Sequence, residues 1–458
     1  MKSFYIFSGR IKWLLVLSVF LSTNDLTAQK VRKTGDLKAK RALHQMQPLP
    51  DGKILIFGGQ TTNSQLLPVL HSASEIYNPA TETWNIAGNM NTPRRNFASV
   101  VLSNNKILAI GGSNSTDQSL NSVEEYDPAT NTWTEKGNLQ NERQKIDAIV
   151  MNNGTILVMG GDDVSYESST DGGLSWKLHE FPVAFGYTFP ESPSLINLSD
   201  GRVLCIGLHA GSATRNYAIL ISPALAHDTA KTRLAEDHPN AGLMQLNNGK
   251  ILITGGTATG TNELFDPVTN MITLTGKFNT SHIACPVMNL SDGRVAAFNI
   301  GNTFEDIILE LYNPTNGTWM YSTGHDFTGL SAYQTVKLTN GKWLIAGGME
   351  YLGIATTGSL KSFLLEEDAG AINDPIKNSA NVYYNPQSNT CEIRLTGNYI
   401  DNHFKVYLTD LTGKDIKESS FIGSNENIAL PLLPSGIYMI RIISPENNMS
   451  VTKRFFIE

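Results

Sequence analysis

The sequence predicts an all-β protein, a seven-bladed β-propeller followed by a small β-sandwich domain, and three observations carry that prediction. A run ending in glycine recurs seven times, at Gly58-Gly59, Gly111-Gly112, Gly160-Gly161, Gly207, Gly255-Gly256, Gly301 and Gly347-Gly348. Successive copies lie about 45 to 53 residues apart, the length of a four-stranded propeller blade. Beyond residue 379 the period is lost, and alternating strands separated by turn residues take its place.

Each copy repeats one internal order. An apolar run such as Ala98-Ser-Val-Val-Leu102 reads as a first strand. Asn or Asp with Gly follows, residues that tolerate the positive φ of a tight hairpin. A second strand, as in DGKILIFGG or NNKILAIGG, ends in the glycine pair. A third strand then meets an Asn/Asp-Pro turn, as in EIYNPATETW and EEYDPATNTW, and a fourth opens with Trp84, Trp133 or Trp319. Glycines that recur at strand ends in every copy are structural. Gly255 to Gly260 is followed by Thr-Asn, not Lys-Ser/Thr, and is no phosphate loop.

The last copy lacks a fourth strand after residues 359–368, and the first residues of the mature chain supply a match. Val31, Gly35, Leu37 and Arg41 fall at the offsets of Trp84, Gly88, Met90 and Arg94, and of Trp133, Gly137, Leu139 and Arg143. Residues 30–37 are therefore expected to close the last blade, which buries both open strand edges of the ring. The predicted organisation is a signal peptide at 1–29, a propeller at 30–368, a linker at 369–379 and a β-sandwich at 380–458.

The N-terminus reads as an export signal. Lys2, Arg10 and Lys12 precede the short apolar run Trp13–Leu21, and Thr27-Ala28-Gln29 offers a cleavage site. That run is too short to span a bilayer as a helix, and no later stretch approaches eighteen apolar residues. No transmembrane helix is expected in the mature chain. The formal net charge is −7 over 458 residues. Losing Lys2, Arg10, Lys12 and Asp25 with the signal makes the mature chain more acidic, which argues against a nucleic-acid partner. Three cysteines, Cys205, Cys285 and Cys391, with no C-x-x-C, suggest neither a disulfide framework nor structural zinc.

The repeated units resemble kelch repeats, especially those of galactose-oxidase-like bacterial propellers, over about residues 30–368. Blades 4 and 6 depart by keeping one glycine of the pair. Blade 3 departs at residues 169–176, Ser-Thr-Asp-Gly-Gly-Leu-Ser-Trp, which looks like the Asp box of sialidase-type propellers. The C-terminal module resembles the type IX secretion sorting domain of Bacteroidota. Its matching elements are Asn385-Pro386, Asp410 with Gly413, Leu433-Pro-Ser-Gly-Ile-Tyr438 and the last strand around Lys453. That resemblance implies passage through the outer membrane, type IX machinery as a partner of residues 380–458, and a secreted or outer-membrane surface location.

The catalytic centres of these families are harder to find. A galactose-oxidase copper site implies a cysteine-linked tyrosine, a tyrosine-histidine pair and a further histidine. The sequence has no Tyr-His dipeptide, and no cofactor or metal is expected. A sialidase implies an arginine triad, and no spacing assigns Arg95, Arg143, Arg215 and Arg294 to one. Asp171 is expected to cap a turn.

The loops that follow each glycine pair do not repeat, and in a kelch ring they share one face with the loops entering each blade. Candidate ligand-binding residues on that face are Arg95, Asn96, Lys145, Asp162, Asp163, His209, Asn302 and Glu350. Two functions follow. One is a recognition protein holding a glycan or protein ligand, which needs only complementary loops. The other is an extracellular carbohydrate-active enzyme, sialidase-like or galactose-oxidase-like, with a diverged site, which needs convergent catalytic groups. The sequence displays the first requirement and no catalytic set.

Overall fold

The computed structural model describes residues 29–457 except 162–164, 182–186, 189–192, 208, 211–217, 230–232, 258, 280–285, 301–306, 323–329, 353–354, 368–378, 386–388, 397–402, 411–413, 423–424, 432, 435 and 445–448. Seven four-stranded antiparallel sheets form the blades. The innermost strands are Gln45–Pro48, Ala98–Val101, Ile146–Val150, Ser194–Asn197, Gly242–Gln245, Val287–Asn289 and Gln334–Lys337. The outermost strand of blade 7 is Gln29–Lys33, which runs antiparallel to Ser362–Glu367 with Val31 opposite Leu365. Thr34 to Leu37 continue beside the same blade through single backbone bonds, Thr34 N–H to Ser362 O at 3.0 Å and Leu37 N–H to Leu360 O at 2.8 Å. The strand proper is thus shorter than residues 30–37 and begins one residue earlier.

The second strand of each blade is mostly apolar because blades pack on both of its faces. Ile54, Leu55, Ile56 and Phe57 are all buried. One apolar cluster fills each gap between neighbouring blades. Between blades 1 and 2 it holds Phe57, Phe97, Tyr126 and Trp133; between blades 7 and 1 it holds Ile56, Tyr77, Trp84 and Leu364. Burying each such side chain contributes roughly 1.5–3 kcal/mol. In blades 1 and 2 the recurring tryptophan also carries a polar contact, whereas Trp319 Nε1 in blade 6 has none among the described residues. Trp84 Nε1 donates to Ser362 Oγ at 3.1 Å, and Trp133 Nε1 donates to Ser74 Oγ at 3.1 Å, one blade further on. Both rings reach the third strand of the preceding blade, so here the repeat is a device for joining blades.

The glycine pair and the repeated arginine belong to one lock. Gly58 and Gly59 have φ of 67° and 89°. A Cβ on Gly58 would lie 2.6 Å from the Phe97 ring, and one on Gly59 would lie 2.4 Å from Ala42 O. The chain entering the next blade therefore passes where a Gly58 side chain would be, and the chain entering the same blade passes where a Gly59 side chain would be. Gly59 N–H donates to Arg94 O at 2.8 Å. The buried Arg94 guanidinium then turns into its own blade, donating to Gly111 O (2.7 Å), Ser122 O (2.9 Å) and Glu124 Oε1 (2.8 Å). Glu124 also accepts the N–H groups of Asn91 (2.6 Å) and Thr92 (2.9 Å). Arg41–Glu75 at 2.8 Å and Arg143–Glu167 at 3.0 Å repeat the arrangement. In blade 5, His238 takes the arginine's place between Gly255 O (2.7 Å) and Glu263 (2.9 Å).

Arg94→Ala removes the cation from one lock and leaves Glu124 and two carbonyls buried without it. The expected loss is roughly 3–5 kcal/mol of unfolding free energy, read from chemical denaturation of the mature protein. A loss below about 1 kcal/mol, the scale of an exposed surface pair, would mean the lock is not needed.

In blade 3 the turn from third to fourth strand is built around Asp171. Its carboxylate accepts N–H bonds from Leu174 and Ser175, both at 3.0 Å, and hydroxyl bonds from Ser175 (2.5 Å) and Ser169 (2.8 Å). These bonds, Ser175's first among them, hold the carboxyl down to about 2. The turn lies at the end of the blade away from the glycine pairs.

The C-terminal module pairs a three-stranded sheet (Ser379–Asn385, Thr390–Thr396, Asn425–Ala429) with a four-stranded one (Asp415–Ile422, His403–Thr409, Gly436–Ser444, Met449–Ile457). Cys391, Ile393, Phe404, Val406, Phe421, Ile440 and Ile442 form its core. No helix among the described residues is long and apolar enough to cross a membrane. Residues 1–28, where the export signal is expected, lie outside the described residues.

Candidate ligand-binding face

The chain enters each blade through a residue in the left-handed region. Leu43, Asn96, Lys145, Asn240 and Ala332 hold φ of 55°, 54°, 53°, 55° and 49° at the same place in blades 1, 2, 3, 5 and 7. This turns a loop running across the face into a strand running down the channel. The next residue packs on a glycine of the neighbouring blade, as Phe97 does on Gly58 and His44 on Gly347. Burial first, and Arg41 second, push His44 down to about 3, which keeps its ring neutral.

Where the inner strands begin, they surround a cavity of about 440 Å³ at the channel mouth. The inner edges of those strands have no further strand to pair with, so side chains satisfy them. Gln45 Nε2 donates to Phe97 O at 2.8 Å, and Gln47 Nε2 donates to Ser99 O at 3.1 Å. Leu195 N–H donates to Asp147 Oδ2 at 2.9 Å, and Asn197 Nδ2 donates to Val150 O at 2.9 Å. The channel is polar because neighbouring blades bridge across it. Asn96, Asn240 and Gln334 also line the cavity, and their side-chain amides have no partner among the described residues.

The residues expected on this face take different roles. Asn96 and Lys145 reach the cavity wall, and Lys145 already has a partner. Arg95 does not: its guanidinium clamps Gln60 Oε1 and Asp117 Oδ1 (2.9 Å) and lies 3.4 Å from Ser113 Oγ. It ties the loop of blade 1 to that of blade 2. Glu350 accepts Ser359 Oγ at 2.7 Å and pairs with Lys361 at 3.3 Å within blade 7's own hairpin. His209 opens a two-residue strand paired with Tyr187-Thr188. Asp162, Asp163 and Asn302 lie outside the described residues. Asp147, Gln45 and Gln334 were absent from the expected set. Their signal is a polar residue two places after the left-handed position, where a buried strand would carry an apolar one.

Hairpins rise around the mouth. Gln60–Thr62 pairs with Pro68–Leu70 in blade 1, and Met349–Leu352 pairs with Ala355–Gly358 in blade 7. Thr61 Oγ1 meets Thr357 Oγ1 at 3.2 Å, and Thr62 Oγ1 donates to Thr356 O at 3.2 Å, so the two hairpins stand together.

Of the arginines considered for a sialidase triad, Arg215 lies outside the described residues, and Arg95, Arg143 and Arg294 do not converge. Arg143 is buried on Glu167, and Arg294 pairs with Asp292 at 2.6 Å in a turn at the other end of its blade. Among the described residues no group of three or more His, Cys, Asp or Glu side chains comes together. Cys205 is sealed in the core between blades 3 and 4, where burial pushes its thiol well up.

Seven blades of this design, with a loop-built face at one end and a terminal β-sandwich, define an exported propeller protein. Two family descriptions match the chain: KLHDC2/KLHL20/DRC7 Kelch-repeats domain over residues 1–173, and Secretion system C-terminal sorting domain over residues 381–458. The chain is a kelch-repeat β-propeller protein carrying a type IX secretion sorting domain, which sends it to the cell surface or the extracellular space. No curated protein matches it. Among solved structures it is similar to a fungal alcohol oxidase of the AA5 family in complex with copper, at 13% identity and a TM-score of 0.59. That match covers 94% of this chain and 99% of the other, and it speaks for the fold alone.

Proposed function

We propose that this is a recognition protein that holds a glycan or protein ligand at the channel mouth, on the face built by the glycine-pair loops and the blade-entry turns. The observation that carries the reading is the cavity of about 440 Å³ lined by Asn96, Lys145, Asn240 and Gln334, beneath hairpins that differ from blade to blade. Strands repeat because packing constrains every blade alike, whereas loops on a rigid scaffold are free to be shaped by a ligand.

The fungal oxidase raises copper chemistry as a second reading. The described residues do not fit that group. The cavity wall offers one histidine, His44, which is fully buried against Gly347, and Cys205 lies within a blade interface. A copper centre needs several nitrogen donors converging on one point. Recognition remains the function that the residues support.

The test is binding of the mature protein to a glycan array and to cell-surface extract. Asn96→Ala and Lys145→Ala are each expected to weaken retention about 5- to 150-fold, the loss of one polar anchor. Lys53→Ala, in the hairpin turn at the opposite end of blade 1, is expected to bind as wild type does. Unchanged binding by both cavity variants, with loss in the Lys53 variant, would place the ligand on the other face.

A further inference from the structure

The cavity at the channel mouth has unlike walls. Blades 5 and 6 line it with Asn240, Ala241, Gly242, Leu243, Pro286 and Val287, an apolar wall in which Asn240 alone of these has a polar side chain. Blade 3 contributes Lys145, which already has a partner, and Asp147, whose carboxylate accepts, among the described residues, only the backbone N–H groups of Ala148 at 2.8 Å and Leu195 at 2.9 Å. No cationic side chain pairs with it among the described residues. Burial pushes this carboxyl up to about 6, against the pull of those two N–H groups. An ionised carboxylate facing a cavity, short of a counter-charge, is stabilised by any cation that a ligand brings.

A second observation concerns what surrounds the mouth. The blade 1 hairpin exposes Leu66 and Leu67 at its tip and Val69 in its second strand, at 57%, 56% and 41%. These side chains are aliphatic. Sugars stack on aromatic faces, whereas an exposed aliphatic tip beside a polar pocket suits the apolar patches of another protein. The hairpin is braced against blade 7 through Thr61 and Thr62, so the tip is held in place.

We propose that the partner on this face is a protein, and that the channel mouth receives one of its lysine or arginine side chains with Asp147 as the counter-charge. The proposal rests on the reading that the ligand occupies this face. A basic side chain matches both walls. Its methylene stem lies along Leu243 and Val287 while its charged head meets the carboxylate. The chain's net charge of −7 favours approach of a basic partner over an acidic one. Leu66, Leu67 and Val69 would cover an apolar patch beside the inserted residue.

The probes are arrays of ten-residue peptides, each with one lysine or arginine in a neutral background, and matching arrays with acetyl-lysine or citrulline. Glucosamine oligomers form a third arm, because they carry the same ammonium on a glycan. The mature full chain is expected to retain the basic peptides at least about tenfold better than the neutral ones. Asp147→Asn is expected to lose that preference while melting as a folded protein. If that variant fails to fold, Leu67→Ser in the exposed tip is the second test and should weaken retention several-fold. Equal retention of basic and neutral peptides, an unchanged preference in Asp147→Asn or, if it does not fold, unchanged retention in Leu67→Ser, tighter binding of glucosamine oligomers, or no peptide retained would each overturn the proposal. Extract binding that is lost in Asn96→Ala but kept in Asp147→Asn would overturn this proposal and leave the face assignment standing. Wild-type binding by both variants would remove the face assignment as well.

Discussion

A chain lacking residues 29–37 is expected to lose cooperative folding of the propeller. Those residues supply the outer strand of blade 7, with five residues in register against Phe363–Glu367. Val31 lies in the cluster between blades 6 and 7, and Leu37 in the one between blades 7 and 1. Arg32 donates to Glu366 at 2.8 Å and to Glu82 of blade 1 at 2.7 Å, and Thr34 Oγ1 meets Tyr77 OH at 2.7 Å. Deleting the segment therefore unpairs a strand edge, opens two apolar clusters and separates blade 7 from blade 1. A ring has no other contact with which to compensate, because each blade touches only its neighbours. The exposed edge is also a template for aggregation. Thermal unfolding followed by circular dichroism, with size-exclusion chromatography, reads both effects. Arg32→Ala is the graded comparison. It removes part-exposed ion pairs worth about 0–1 kcal/mol and is expected to shift the melting temperature only slightly. A deletion variant that melts within a few degrees of wild type would show that closure is not what holds the ring.

A chain ending before residue 380 is expected to fold and to stay in the periplasm. The sorting domain carries its own core, from Cys391 to Ile442. The seven propeller clusters draw their residues only from Val31 to Leu365. Removing the domain takes no side chain from them, so the propeller should keep its melting temperature while losing the element that the type IX machinery recognises. Cell fractionation, with the melting temperature of the recovered periplasmic protein, gives both readouts. Normal display of the truncated chain would rule out the sorting role.

Much of the architecture was legible because propellers repeat. The glycine pairs, the Asn/Asp-Pro turns and the tryptophans each answer a packing constraint met in every blade, and a constraint met repeatedly leaves a period in the sequence. Arg41, Arg94 and Arg143 were visible as a fixed offset, but their purpose was not. Each guanidinium is bonded to a glutamate 24 to 34 residues away in the chain and to carbonyls in the same blade, and only the folded sheet brings these together.

The candidate face was legible as a set of loops, and the roles of its residues were not. Composition and the non-repeating loops point to the glycine-pair end of the ring, and Asn96 and Lys145 do reach the cavity. Arg95, one residue before Asn96, turns instead to Gln60 and Asp117 and holds two loops together. Asp147, two residues after Lys145, looks like a polar interruption in an apolar strand, yet it lines the channel and bonds to the next blade. The sequence alone determined the blade count, the strand order and the sorting tail, because those depend on local period and turn chemistry. Which polar side chains are already committed to a neighbouring blade, and which remain for a ligand, was decided only in three dimensions, because the partners lie one blade away in space and dozens of residues away in the chain.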